Sequence, residues 1–155
     1  MRTDGFILSH MPALKRRELA EVRARLRAAP PRARALKGAS VLAGKPGIIA
    51  EVKRSSPSAV AIADGNAASI ASRYERAGAL AVSVLTDRTH FGGSWDDLAA
   101  AAGAVRSPVL CKEFIRFPEQ IDLAAALGAD IILLIARMLS RRDLANLYRH
   151  ALSVG

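Results

Sequence analysis

A single cysteine, Cys111, in 155 residues leaves no internal disulfide and fits a reducing compartment. Aromatic residues make up only 5% of the chain, and none follows Phe6 within residues 1–45. That stretch lacks the platforms on which bases stack, so nucleic acid is not an expected partner. No apolar run approaches the roughly 18–20 residues of a membrane span. The N-terminus shows no apolar segment followed by a small-residue cleavage site, which argues against secretion. Membrane is therefore not an expected partner, and a cytoplasmic location is expected. The three histidines, His10, His90 and His150, fall on different segments without metal-ligand spacing, so surface or capping roles are expected. Neither a Gly-x-Gly-x-x-Gly turn nor a Walker loop is present, so nucleotide cofactors are not supported. Acids are also few, at 14 against 23 Lys and Arg, for a net charge of +9. Residues 1–45 carry eleven of those bases and only Asp4, Glu18 and Glu21 as acids. This basic arm reads first as a solvated helix face, and secondly as a source of attraction for an anionic, phosphorylated substrate.

What is present is a soluble-type composition, 51% hydrophobic and 24% charged, in a chain long enough for one domain with a real core. Leu8, Met11, Leu14, Leu19, Val22 and Leu26 recur at helical steps, predicting an amphipathic helix or a pair of them up to Pro30-Pro31. Residues 32–47 read as an irregular connector. From Ile48 the pattern is periodic, with strands predicted over 48–53, 81–86, 108–112 and 130–135. Each is followed by a helix: one capped by Asn66 and ended by Gly78, one opened by Ser94-Trp95-Asp96-Asp97, one opened by Pro118 and ended by Gly128, one opened by Ser140. Strands alternating with helices imply right-handed βαβ units and a parallel sheet, either a small open α/β sheet or half of an eight-unit barrel. Cys111 should face the helices as an inert buried thiol, and Trp95 should pack its helix against the sheet.

The chain is organised around residues 48–58, an apolar strand that ends in a Ser/Pro turn. Glu51 and Lys53 lie two apart in it and so project from one face. The third strand ends in Lys112, with Phe114 two residues on. In parallel α/β folds the carboxyl ends of the strands form the active face. Two lysines and a glutamate there are costly to bury unless paired or bound to an anion, so they read as a site for a phosphate, a carboxylate or proton transfer.

The residues Ile49-Ala50-Glu51-Val52-Lys53-Arg54-Ser55-Ser56-Pro57-Ser58 resemble the signature of the indole-3-glycerol-phosphate synthase family. The resemblance continues in order through Tyr74–Ala79, Ser83–Asp87, Phe91–Ser94, Pro108–Ile115 and Gly128–Ile135. It implies a TIM (β/α)8 barrel with an N-terminal helical segment across the active face. Residues 1–47 would be that segment with its connector, and residues 48–155 the first four βα units. It further implies a carboxy-lyase of tryptophan biosynthesis. Its substrate, 1-(o-carboxyphenylamino)-1-deoxyribulose 5-phosphate, closes its ring with loss of CO2 and water to give indole-3-glycerol phosphate, with no metal or organic cofactor. By motif, Lys112 would be the general acid. Lys53 would bind the anionic substrate and serve as a second acid, and Glu51 would orient the lysines. Ser56 and Pro57 would line the anthranilate end, with Phe91, Phe114, Leu133 and Leu134 as apolar walls.

Two departures from the family pattern carry expectations of their own. Ala59 and Val60 stand where the family has a basic residue and a glycine, so the first loop should be stiffer. The glutamate, asparagine and phosphate-binding loops of the family's later strands lie beyond the 155 residues, as if the chain were cut at a unit boundary at Gly155. A four-unit piece leaves two apolar edges, and is expected to be inactive or nearly so and to self-associate through them. A non-catalytic half barrel and a related phosphate-binding barrel isomerase are the alternative readings.

Overall fold

The computed structural model describes residues 3–37, 42, 44, 46–53 and 65–155, the side chains of residues 3–7 excepted. A long helix, α1 (Thr3–Ala28), comes first and accommodates Pro12 without ending. Then come β1 (Ile49–Val52), α2 (Ala67–Arg76), β2 (Ala81–Leu85), a one-turn helix α3 (Arg88–Phe91) and α4 (Trp95–Ala104). The chain continues through β3 (Val109–Lys112), α5 (Pro118–Ala126), a short β4 (Ile131–Ile132), a 3-10 turn (Ala136–Met138) and α6 (Arg141–Val154). The four strands form one sheet in chain order, every pair parallel. The N-terminal segment is thus one helix, and α3 and the 3-10 turn are additions to the pattern expected from sequence.

Local chemistry explains where the helices begin. The Asn66 side chain accepts the Ser69 N–H at 2.8 Å. The Ser94 hydroxyl accepts the Asp97 N–H at 3.0 Å while donating to the Asp97 carboxylate at 2.8 Å. Ser140 repeats this arrangement with Asp143. Each satisfies an amide that the first helical turn leaves without a partner. Gly78 and Gly128 follow α2 and α5 with φ of +86° and +102°, a conformation that side chains disfavour.

The strands place alternate residues on two faces. Val52, Val82, Val84, Val109 and Cys111 point to the helix side and pack with Ile70, Trp95, Leu98 and Leu123 in the main core. Trp95 and Cys111 therefore sit as their positions in the sequence imply. Burial, and secondarily the Glu113 charge, pushes the Cys111 thiol well above its ordinary pKa. Native protein is expected to react with a disulfide reagent at least ~100-fold more slowly than urea-unfolded protein, followed at 412 nm in the presence of 5,5′-dithiobis(2-nitrobenzoate). Comparable rates would place the thiol outside the core.

The basic arm is not a uniformly solvated face. Arg16, Arg17, Arg23 and Arg27 are exposed, but Lys15 is buried. In the connector, Arg32 donates to the carbonyls of Ala125 and Ala129 at 2.6 and 2.7 Å, and Arg34 to those of Ala102 and Ser107 at 3.1 Å each. Both guanidinium groups meet the fully buried Asp130 carboxylate, at 2.7 and 2.8 Å. The connector thereby caps the carbonyl ends of α4 and α5 and ties them to the start of β4. Asp130→Ala should cost about 2–3 kcal/mol in urea unfolding, because it strands two arginines and removes the acceptor of the Val109 and Lys37 amides. A change within 0.5 kcal/mol, the range of an ordinary surface substitution, would deny the hub its role.

Candidate active site

The opposite sheet face carries Glu51 on β1, Ser83 and Leu85 on β2, Leu110 and Lys112 on β3, and Leu133 beyond β4. Register sets Glu51 beside Ser83, and Leu85 beside Lys112. At the carboxyl ends of the strands Glu51, Leu85, Lys112 and Leu133 border a cleft of ≈ 120 Å³, which Lys53, Phe91, Glu113, Phe114 and Ile135 also line. Larger hollows lie beside β4 and α6 and beneath the connector. Neither contains the lysines.

Within the cleft Glu51 stands between two cations. Its Oε2 meets the Lys112 ammonium, and its Oε1 lies 4.0 Å from that of Lys53. The Tyr74 hydroxyl donates to the Glu51 carbonyl at 3.2 Å, tying α2 to this position. Lys112 remains 40% exposed and Lys53 27%, so both ammonium groups can reach a ligand. The Lys53 ammonium sits 5.3 Å from the Phe91 ring centre. Phe91 in turn stacks on Phe114 at 6.3 Å, with 25° between the ring planes. The Lys15 ammonium lies over the Phe114 ring, 5.7 Å from its centre. The result is an aromatic pair with one cation over each ring.

Of the residues singled out from sequence, Lys112, Lys53, Glu51, Phe91, Phe114 and Leu133 come together here. Leu134 does not. Strand alternation turns it to the helix side, where it packs with the cluster of Ile115, Ile121 and Leu147, so its reading as a cleft wall is corrected. Ser56 and Pro57, like Ala59 and Val60, lie outside the described residues. His90 and His150 pair with Asp87 and Asp122. Among the described residues no group of three or more His, Cys, Asp or Glu is placed to hold a metal ion, and no helix is long and apolar enough to cross a membrane.

Sequence reasoning missed the ionic cluster behind the cleft. The Lys15 ammonium lies 2.8 Å from Asp87, 2.9 Å from Glu113 and 2.9 Å from Glu18. The other oxygen of Glu113 accepts from the Thr86 hydroxyl at 2.6 Å, and Asp87 accepts the His90 N–H at 2.7 Å. Burial alone would lower the Lys15 pKa, but the charges of Glu113 and Asp87 outweigh it and hold the ammonium above the usual lysine range. Burial likewise opposes ionisation of Asp87, and attraction to Lys15 with the bonds from Lys15 and His90 overcomes it. A signal was available: Lys15 lies four residues after Met11 and seven before Val22, on the apolar stripe of α1.

Parallel strands in chain order, helices on one face and ionisable groups gathered at the carboxyl ends of the strands define a βα-barrel type of chain with its chemistry at that end. The profile of the indole-3-glycerol phosphate synthase family matches residues 9–155. Curated relatives, each named indole-3-glycerol phosphate synthase, include those of Staphylococcus haemolyticus, 48% identical over 108 residues, and Microcystis aeruginosa, 50% over 102. These alignments cover 70% and 65% of this chain but 42% and 34% of the relatives. A protein from an Exiguobacterium species is 49% identical over 109 residues, covering 70% of this chain and 43% of its own. The chain belongs to the indole-3-glycerol phosphate synthase family, and its four βα units are part of a TIM barrel. It spans between about a third and two-fifths of the length of these relatives.

Proposed function

We propose that the cleft is the acid–base site of an indole-3-glycerol-phosphate synthase, a carboxy-lyase of tryptophan biosynthesis. Residues 48–155 then form the first four βα units, and residues 1–47 the helical segment and connector that precede them. The observation that carries the reading is the Glu51 carboxylate held between Lys53 and Lys112, beside the stacked Phe91–Phe114 pair. Ring closure joins the anthranilate carbon bearing the carboxylate to the ribulose C2 carbonyl. Lys112 donates a proton to the carbonyl oxygen as that bond forms. The carboxylate leaves as CO2, and its electron pair restores the aromatic ring. The new hydroxyl then departs as water with a proton from Lys53, and the methylene carbon beside the ring nitrogen gives up a proton to solvent, which forms the second double bond of the indole ring. Lys53 also meets the substrate's negative charge, while Glu51 keeps both ammonium groups aimed into the cleft. Phe91, Phe114 and Leu133 exclude water around the aromatic end. A phosphorylated small molecule is the partner this assigns, and a cytoplasmic setting accords with the reduced, buried Cys111.

The cleft's ≈ 120 Å³ falls below the roughly 300–1,000 Å³ of complete small-molecule sites, so turnover well below that of full-length relatives is expected. With chain in excess over 1-(o-carboxyphenylamino)-1-deoxyribulose 5-phosphate, mass spectrometry should find a product lighter by one CO2 and one water. A product of unchanged mass would move the assignment to an isomerase, and unaltered substrate would remove the catalytic reading.

A second copy of the chain is a further partner, supported by apolar exposure. Ile48 and Ile49 at β1 are 72% and 45% exposed, and Leu152 on α6 is 59% exposed. Sedimentation equilibrium should reveal mass rising with concentration, reduced by Ile49→Lys. A monomer at every concentration would exclude self-association.

A further inference from the structure

We propose that Lys15, on α1 and outside the cleft, is a positioning residue that sets the spacing of the two aromatic walls. Its kinetic consequence rests on the ring-closure reading above; the placement of the aromatic pair does not. Phe91 and Phe114 arrive from different strand ends and have no covalent reason to keep a fixed separation. Asp87 caps α3 through the His90 amide, and α3 carries Phe91. Glu113 accepts the Phe114 amide at 2.6 Å and lies between Lys112 and Phe114 in the chain. Thr86 ties the two strand ends together, its N–H donating to the Lys112 carbonyl and its hydroxyl to Glu113. One buried ammonium, 2.8 Å from Asp87 and 2.9 Å from Glu113, therefore holds both loops at once.

The surrounding packing directs this tether at the cleft. Met11, one turn before Lys15, is buried with Phe114 and Met138, and Leu8, Leu14, Phe91 and Ile135 pack against that group. Lys15 itself sits over the Phe114 ring, its ammonium 5.7 Å from the ring centre, and Phe114 stacks on Phe91. An ammonium at this place fixes where Glu113 sits. Lys112 and Phe114, its neighbours on either side, inherit that position. Without it, two carboxylates would repel across a desolvated gap and drive the loops apart.

The test compares Lys15→Met with Arg23→Ala in chains carrying 13C-labelled phenylalanine. Arg23 also fastens α1, through Glu119 at 2.6 Å, but lies away from the cleft and serves as the control for helix docking alone. Inter-ring cross-peaks of Phe91 and Phe114 should persist in the parent chain and in Arg23→Ala, and vanish in Lys15→Met while core methyl shifts stay in place. Should Lys15→Met not fold, the variant that adds Asp87→Asn and Glu113→Gln removes the stranded charges and still lacks the tether. Single-turnover kinetics should then show at least a tenfold loss in the ring-closing step, with substrate affinity changed less than threefold, and Lys15→Arg recovering part of it. Retained cross-peaks in Lys15→Met or in the triple variant, or an equal loss in Arg23→Ala, would overturn the proposal. Cross-peaks lost as expected in a chain that forms no product would uphold the positioning role and refute the ring-closure reading instead.

Discussion

Replacing Lys112 by alanine is expected to lower the rate of indole-3-glycerol phosphate formation at least 100-fold. A positioned general acid contributes roughly 10²–10⁴-fold, and Lys112 is the cation nearest the cleft carboxylate. The loss should fall on the chemical step, because the uncharged side chain cannot protonate the carbonyl oxygen as the ring closes. Lys53→Ala should act differently. Its ammonium lies over Phe91 and farther from Glu51, so substrate affinity should fall along with the later dehydration. Single-turnover traces separate the two. If Lys53→Ala abolished the first step while Lys112→Ala spared it, the two roles would have to be exchanged.

Lys15→Met should destabilise the fold by about 3–5 kcal/mol, the cost of leaving buried charges without their partner. This is a large share of the roughly 5–15 kcal/mol that holds an ordinary domain together. The pH dependence should reveal the cause. Asp87 is held below its ordinary carboxyl pKa, burial being outweighed by attraction to Lys15. Its contribution is therefore present above about pH 3.9 and is lost as pH falls through its lower folded value. Glu75 adds to the same acid limb, since burial there is outweighed by bonds from the Ser107 hydroxyl and amide and the Arg106 amide. Lys15, raised in the folded state, contributes fully below about pH 10.4 and loses its contribution only as pH rises through its folded value. Stability should thus be flat between about pH 5 and 8, above which the unfolded chain gains by ionising the Cys111 thiol that burial keeps protonated in the fold. In Lys15→Met the desolvated Asp87 carboxyl favours its protonated form, so the gap to the parent chain should narrow as pH falls from 7 towards 4. Urea unfolding across that range measures it, and a constant gap would show that Lys15 contributes packing rather than charge.

Much of this architecture was legible because it rests on local rules. Asn66, Ser94, Pro118 and Ser140 open helices by chemistry confined to one turn, and the apolar strands between them require a parallel sheet. Lys53 and Glu51 were legible as a pair because strand alternation alone puts them on one face. The cases that escaped depend on distant partners. Lys15 looks like a member of a solvated basic arm until Asp87, 72 positions along, is brought beside it. Arg32 and Arg34 look equally idle until the ends of α4 and α5 converge on Asp130. Leu134 differs for the opposite reason: strand alternation sends it to the helices, whereas the resemblance implies a place in the cleft wall. The one-turn α3 is too short for periodicity to reveal, yet it delivers Phe91.

The central claim is that this cleft closes an indole ring with Lys112 as the acid. A single-turnover fluorescence assay tests it most directly, with the chain and its Lys112→Ala variant each in excess over 1-(o-carboxyphenylamino)-1-deoxyribulose 5-phosphate. The account predicts indole fluorescence growing in the parent chain and at least 100-fold more slowly in the variant. Equal growth in both, or none in either from folded protein, would contradict it.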